Sequence, residues 1–313
     1  MRESWRIIFF GTPAFAIPTL SSLMKGPDEV VAVVTQPDRE KGRGRKVIPS
    51  PVKELALQYK IPVFQPEKVK DENFYESLRA FQPDLMIVVA YGQILPKSVL
   101  DIPKYGAINV HASLLPKYRG ASPIAWAILK GEKRTGVTTI KMDEGMDTGD
   151  ILLQKAIAIG ETENFESLHD RLALLGAEIL METLEKMKKG DLTPIPQDHS
   201  EATFAPSFKK EDGRIDWKRE AKEIDCQIRA LNPWPGAFTE WNGRLLKIFS
   251  GEIRQGRSKG EAGKVVWVAS DFIEVETGNG FYLIKEVQLE GKRRMSVREF
   301  LPGHPIPVGT VFQ

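Results

Sequence analysis

Cysteine is nearly absent from this chain: one residue, Cys226, among 313. A lone thiol excludes an internal disulfide and a cysteine-based metal cluster, and fits a reducing, cytoplasmic setting. Histidine is scarce too, with four residues scattered without ligand spacing, so no metal is expected. No apolar run approaches the roughly 18 residues of a membrane span. The chain enters a strand almost at once, so no signal or transit peptide is expected. A charge excess is also missing. The 44 Lys and Arg against 42 Asp and Glu leave +2, too little to announce nucleic-acid binding by itself. The first turn, Gly11-Thr12-Pro13, carries one glycine where a dinucleotide fingerprint needs three, so a nicotinamide cofactor is not expected.

What remains is ordinary globular material, 42% hydrophobic and 27% charged, long enough for two domains. Residues 6–10 and 30–35 read as buried strands, with a helix over 14–25 that Pro18 should shorten or kink. That opening predicts a doubly wound, Rossmann-like α/β domain with a parallel sheet. Helices follow over 51–59 and 71–81. Leu85 to Ala90 is a near-continuous apolar run, the pattern of a strand covered on both faces. Further strands are expected at 136–142 and 151–159, with a long amphipathic helix at 166–189. Residues 190–206 carry Pro194, Pro196 and Pro206 and no Lys or Arg, which predicts a semi-extended linker. From Ser207 the pattern changes to a short helix and five short strands in about 80 residues, with Asn242-Gly243 and Asn279-Gly280 at tight turns. That spacing fits a small β-barrel of the oligonucleotide-binding kind. The expected division is therefore 1–189, a linker at 190–206, and 207–313.

The chemistry concentrates in Ala107-Ile-Asn-Val-His-Ala-Ser-Leu-Leu-Pro116. It begins as a strand and ends in a proline-stopped loop. At period two, Asn109 and His111 share one face while Ile108 and Val110 take the other. A strand histidine taken alone is more often a packed structural residue. Beside an amide the reading changes, since Asn109 can hold an oxyanion and His111 can move protons near neutral pH. Downstream, Gly145-Met-Asp147-Thr-Gly149 puts a carboxylate on a loop whose glycines let backbone approach a ligand.

Asn-x-His-x-Ser-Leu-Leu-Pro followed by Asp-Thr-Gly resembles the formyltransferases that use 10-formyltetrahydrofolate. The fit is closest to the branch acting on methionyl-tRNA, through Phe-Phe-Gly-Thr-Pro, the Thr35-Gln-Pro-Asp-Arg39 run, Lys-Gly-Arg-Gly-Arg-Lys and Leu231-Asn-Pro-Trp-Pro-Gly236. The resemblance covers nearly the whole chain. It implies that Asn109, His111 and Asp147 form the catalytic group, with Asp147 supporting His111. It implies that Ser113, Leu114, Leu115 and Pro116 shape the folate side, and that the loops at 91–95 and 143–149 help enclose the pterin. Tyr91 and Leu95 read equally well as packing residues.

Residues 36–50 form a long loop with five basic residues and one acidic between Arg39 and Lys46. Most charge runs are solvated surface, but long loops in compact domains are uncommon, and a basic arm suits a phosphate backbone. The resemblance implies that Arg39, Lys41, Arg43, Arg45 and Lys46 meet the tRNA acceptor end. From Ser207 onward, 18 basic side chains face 15 acidic ones, or +3, so the second domain reads either as an accessory barrel or as an RNA platform. The expected activity is formyl transfer to initiator methionyl-tRNA by a monomer. The alternatives are a formyltransferase for a sugar-nucleotide amine and an RNA-binding protein with a decayed site.

Overall fold

The computed structural model describes residues 4–41, 46–257 and 260–313. The chain divides into two compact units. One comprises residues 1–123, 135–157 and 169–205, the other 124–134, 158–168 and 206–313.

The first unit opens with β1 (Arg6–Gly11), a 3₁₀ turn over Ala14–Ala16, α1 (Ile17–Lys25) and β2 (Glu29–Val34). Pro18 lies in the first turn of α1, where its missing N–H costs nothing, so the helix starts later instead of kinking. The segment expected as an irregular loop contains a two-stranded hairpin, β3 (Arg39–Lys41) paired antiparallel with β4 (Lys46–Ile48). Its tip, including Arg43 and Arg45, lies outside the described residues. The base is tied by Asp38, which accepts from Lys53 Nζ and from Gln65 Nε2. Then come α2 (Pro51–Gln58), capped by the Ser50 side chain, β5 (Val63–Phe64), and α3 (Glu72–Ala80), capped by Asp71. After β6 (Leu85–Val89), α4 (Lys97–Leu100) and β7 (Ala107–His111), the chain passes through α5 (Pro123–Leu129), which apart from Pro123 belongs to the second unit, and returns with β8 (Arg134–Lys141), β9 (Ile151–Ala158) and α6 (Phe165–Lys189).

The sheet order is β5-β2-β1-β6-β7-β8-β9. The β1–β2, β1–β6, β2–β5 and β6–β7 pairs are parallel, whereas β8 runs antiparallel to β7. The sheet is therefore mixed, not wholly parallel. All five residues of β6 are buried, as the unbroken apolar run requires of a strand covered on both faces. Ile8, Phe10, Met86, Val88, Leu78 and Tyr91 share one core cluster. Fully burying each of the aliphatic, Met and Phe side chains among them stabilises the fold by about 1.5–3 kcal/mol. On β7, Val110 faces α6 at Gly176, where an added Cβ would lie only 3.1 Å from Val110 Cγ1. Glycine there lets helix and strand approach closely, and the alternation sends Asn109 and His111 to the opposite face.

Residues 190–205 bond along the first unit: Ile195 pairs with Ile151, and Phe204 with Arg119.

The second unit carries α7 (Ala221–Leu231), then β10 (Ala237–Trp241), β11 (Arg244–Arg254), β12 (Val265–Val268), β13 (Ile273–Glu276), β14 (Phe281–Leu289), β15 (Met295–Ser296) and α8 (Val297–Phe300). The antiparallel order is β10-β11-β14-β13-β12, with β15 on β14. Among the described residues, β10 and β12 do not pair, so the strand path is an open sheet where a closed barrel was expected. Each end of that path is instead bonded by the C-terminal tail, Gln313 to Glu240 and Thr310 to Val265. Trp217, Ile224, Ile228, Trp241, Tyr282 and Phe300 build its core.

Candidate active site

Strand order reverses about β1 and β6, with β2 on one side and β7 on the other. In such sheets ligands collect beyond the carboxyl ends of the strands at that crevice. Thr12 Oγ1 donates to the Tyr91 carbonyl across it at 3.0 Å. The last residues of neighbouring β7 include Asn109 and His111, and the loop between β8 and β9 brings Asp147 to them.

Asn109 Nδ2 donates to Asp147 Oδ1 at 3.1 Å. His111 Nδ1 lies 3.6 Å from the same oxygen, beyond hydrogen-bond range. Asp147 Oδ2 accepts the Gly120 backbone N–H at 2.8 Å. His111 Nε2 is 2.9 Å from the Tyr118 carbonyl. A carbonyl only accepts, so the proton of the neutral ring sits on Nε2, and Nδ1 carries the free lone pair. The carboxylate thus faces an amide and an imidazole on one side and is anchored to the backbone on the other. Asp147 and Tyr118 both hold left-handed backbone, φ 56° and 61°. Such strain in non-glycine residues gathers at functional sites.

The Ser113–Pro116 stretch is largely internal. Ser113 is fully buried, and its hydroxyl donates to the Lys117 carbonyl at 2.6 Å. The Leu115 N–H reaches Thr138 Oγ1 at 3.2 Å, and Leu115 is buried. Leu114 and Pro116 are half-buried. Gly136 runs beneath, where an added Cβ would lie 2.5 Å from Leu114 Cδ2 and 2.0 Å from the Lys155 carbonyl. Tyr91 and Leu95 both belong to the core. Tyr91 packs edge-on against Phe10 at 5.2 Å, and burial pushes its phenol well above the usual range. The same two loops do carry exposed apolar side chains, Ile94 and Met146.

Of the basic residues, Arg39 is exposed on β3, Lys41 and Lys46 are paired in the hairpin backbone, and Arg43 and Arg45 lie outside the described residues. His199, which has no evident partner in the sequence, places Nδ1 3.0 Å from Arg119 Nη2. Sequence reasoning passes over Arg119 and Gln197, which bond to each other and, through Gln197, to the Asp147 loop. A lone glutamine among prolines carries no periodic signal, and only burial reveals it. Among the described residues, no His, Cys, Asp and Glu group of three or more could hold a metal ion, and no helix is long and apolar enough to cross a membrane.

Comparison with known proteins points to one family. A family model described as formyl transferase matches residues 5–184, and its C-terminal domain model matches 207–305. A methionyl-tRNA formyltransferase of Citrifermentans bemidjiense is 52% identical over 304 residues, covering 97% of this chain and 95% of the relative. One from Caldanaerobacter subterraneus subsp. tengcongensis is 52% identical over 309 residues, covering 98% and 100%. The solved structure of WlaRD, a sugar 3N-formyl transferase in the presence of dTDP and 5-N-formyl-THF, superposes with a TM-score of 0.67 at 19% identity, over 92% of this chain and 99% of that one. At that identity the likeness speaks to the fold. Matched along both units and sharing half its residues with full-length relatives of one name, the chain belongs to the formyl transferase family.

Proposed function

We infer that this chain transfers the formyl group of 10-formyltetrahydrofolate to the free amino group of methionine on initiator tRNA. The observation that carries the reading is the meeting of Asn109, His111 and Asp147 around one carboxylate, in a chain whose 52%-identical relatives are named for that reaction.

The chemistry follows from which atoms are committed. The neutral amine attacks the formyl carbon, and negative charge gathers on the formyl oxygen. The bond to folate N10 then breaks, and the proton lost by the amine ends on N10. Asn109 has a second N–H beyond the one given to Asp147, and it donates this to the developing oxyanion. His111 acts through Nδ1, because Nε2 serves the Tyr118 carbonyl. At 3.6 Å from Asp147, a proton on Nδ1 is not locked there and turns to the same oxygen. Asp147 supports the imidazolium and helps carry the amine proton toward N10 through a water.

Ser113 and Leu115 set the loop from inside, while Leu114 and Pro116 give the folate ring system an apolar edge. Exposed Ile94 and Met146 suit a flat ligand between their loops.

The acceptor is read from charge and surface. Arg39, Lys41, Arg43, Arg45 and Lys46 bind the phosphates near the acceptor end. The C-terminal portion, residues 207–313, serves as the RNA platform, with the Lys292-Arg293-Arg294 cluster and exposed Trp234 and Trp267 suited to phosphate binding and base stacking. The antiparallel sheet of this portion, with the C-terminal tail bonded to both β10 and β12, is read as oligonucleotide-binding in kind. The protein works as a cytoplasmic monomer, with catalysis in residues 1–189.

The test incubates the protein with 10-formyltetrahydrofolate and charged initiator tRNA, beside a nucleotide-linked amino sugar. Formyl-methionyl-tRNA is the expected product. Formylation of the sugar alone moves the acceptor to sugars, and salt-sensitive RNA binding without folate binding removes the enzymatic reading.

A further inference from the structure

Gln197 is the one buried residue between positions 191 and 204. Both ends of its amide are committed. Nε2 donates to the Asp147 carbonyl at 2.8 Å and to the Gly149 carbonyl at 2.7 Å. Oε1 accepts from Arg119 Nε at 3.2 Å and Nη2 at 2.7 Å. Two hydrogens and two lone pairs make four partners, so this amide is saturated.

Arg119 is buried as well, 4% exposed, and it sits between two residues that touch the site. Tyr118 before it supplies the carbonyl for His111 Nε2. Gly120 after it supplies the N–H for Asp147 Oδ2. The backbone here is further held by the segment at 203–205, since the Arg119 N–H donates to the Thr203 carbonyl at 2.8 Å and the Ala205 N–H to the Arg119 carbonyl at 2.7 Å. The bonds close on themselves. They run from His111 to Tyr118, from Arg119 to Gln197, from Gln197 to the backbone at 147 and 149, and from Asp147 back to Gly120.

We propose that Gln197 and Arg119 are positioning residues for formyl transfer. Gln197 pins the left-handed backbone from which the Asp147 carboxylate reaches Asn109 and His111, and the planar Arg119 fork fixes the Gln197 amide in that orientation. The inference rests on reading residues 109, 111 and 147 as the transfer site. It gives a stretch of sequence otherwise exposed and proline-rich a direct bearing on rate.

Three variants of the full chain test it. Gln197→Met keeps the side chain's length and removes all four hydrogen bonds. Gln197→Glu keeps an acceptor for Arg119 but removes both donors to the Asp147 loop. Arg119→Lys keeps the charge and removes the bidentate fork. A displacement of about 1 Å at a reacting group costs on the order of 10²-fold, so kcat should fall roughly 10- to 100-fold in Gln197→Met and Gln197→Glu, and less in Arg119→Lys. KM for the folate donor and for tRNA should stay within about threefold, the mark of an interaction expressed only in the transition state. The ¹⁵N resonance of His111 Nδ1 should move in Gln197→Met toward its position in Asp147→Asn, a signature that reduced stability alone does not produce. If Gln197→Met fails to fold, the other two variants carry the same comparisons.

A kcat within about twofold of the parent, an effect appearing only in KM, or an unmoved His111 resonance would overturn the proposal. Absence of transfer to methionyl-tRNA by the unaltered protein would instead defeat the functional reading. In that event the resonance comparison still decides whether Gln197 positions Asp147.

Discussion

Asn109 Nδ2 lies 3.1 Å from Asp147 Oδ1, across 38 residues of sequence. One is the third residue of a buried strand, and the other sits on a loop between the next two strands. Their hydrogen bond leaves the second N–H of the Asn109 amide uncommitted, beside a His111 Nδ1 that also points toward Asp147. Two potential donors beside one carboxylate suit the oxyanion and the migrating proton of the proposed transfer.

Truncating either donor should therefore act on rate. Asn109→Ala and His111→Ala are each expected to lower kcat by about 10²–10³-fold, with tRNA affinity retained. The double variant should fall by less than the product of the two, because both donors serve one oxygen. Single-turnover formylation, paired with a filter-binding measurement on tRNA, checks this. Turnover retained in both single variants would remove these residues from the mechanism.

Gly120 has φ 118°, and a Cβ there would lie 3.0 Å from the Ala205 carbonyl. Gly120→Ala is expected to destabilise the first unit by roughly 1–3 kcal/mol through backbone strain. It should also slow transfer, since the same residue donates its N–H to Asp147. Urea unfolding gives the first quantity and kcat the second. An unchanged unfolding midpoint would contradict the strain assignment.

The base of the basic hairpin should respond to acid. Hydrogen bonds from Lys53 and then Gln65 hold the Asp38 carboxyl below the usual carboxylate range, against a smaller opposing effect of burial. A carboxylate depressed in the folded state stabilises fully above its unfolded pKa of about 4. That contribution is lost as pH falls through the lower folded value. The difference in unfolding midpoint between the parent and Asp38→Asn is expected to be constant from neutral pH down to about 5 and to shrink below about 4. A difference that grows on acidification would reverse the sign and sink the assignment.

Arg39 is exposed on the hairpin, so Arg39→Glu should weaken tRNA binding without unfolding the protein. Removing one cation that neutralises a phosphate lowers the dependence of log K on log salt by roughly one unit. Binding isotherms at several salt concentrations read both effects. Equal slopes for the parent and Arg39→Glu would take Arg39 out of the interface.

Much of the fold is legible in the sequence because burial leaves a local imprint. The unbroken apolar run at 85–90 demands a strand covered on both faces, and β6 is that strand. Alternation at 107–111 sets Asn109 and His111 on one side. Short alternating runs after Ser207 become an antiparallel sheet. Pro18 shows the limit of local reading: its effect depends on where the helix begins, and a 3₁₀ turn over residues 14–16 moves that start. The hairpin at 39–48 leaves no such imprint, because glycine and arginine resemble loop and its strands are three residues each.

By itself, then, the sequence determined which residues are inside and which share a strand face, and it singled out the residues proposed for acyl transfer. Each of those properties is written in spacing of a few residues. The tertiary structure alone decided that β8 runs against β7, that Asp147 meets a histidine 36 positions earlier, and that Gln197 holds the loop beneath them. Those contacts join segments far apart in the chain, and their energy comes from burial and hydrogen bonds that exist only once the sheet has assembled. No local period encodes them.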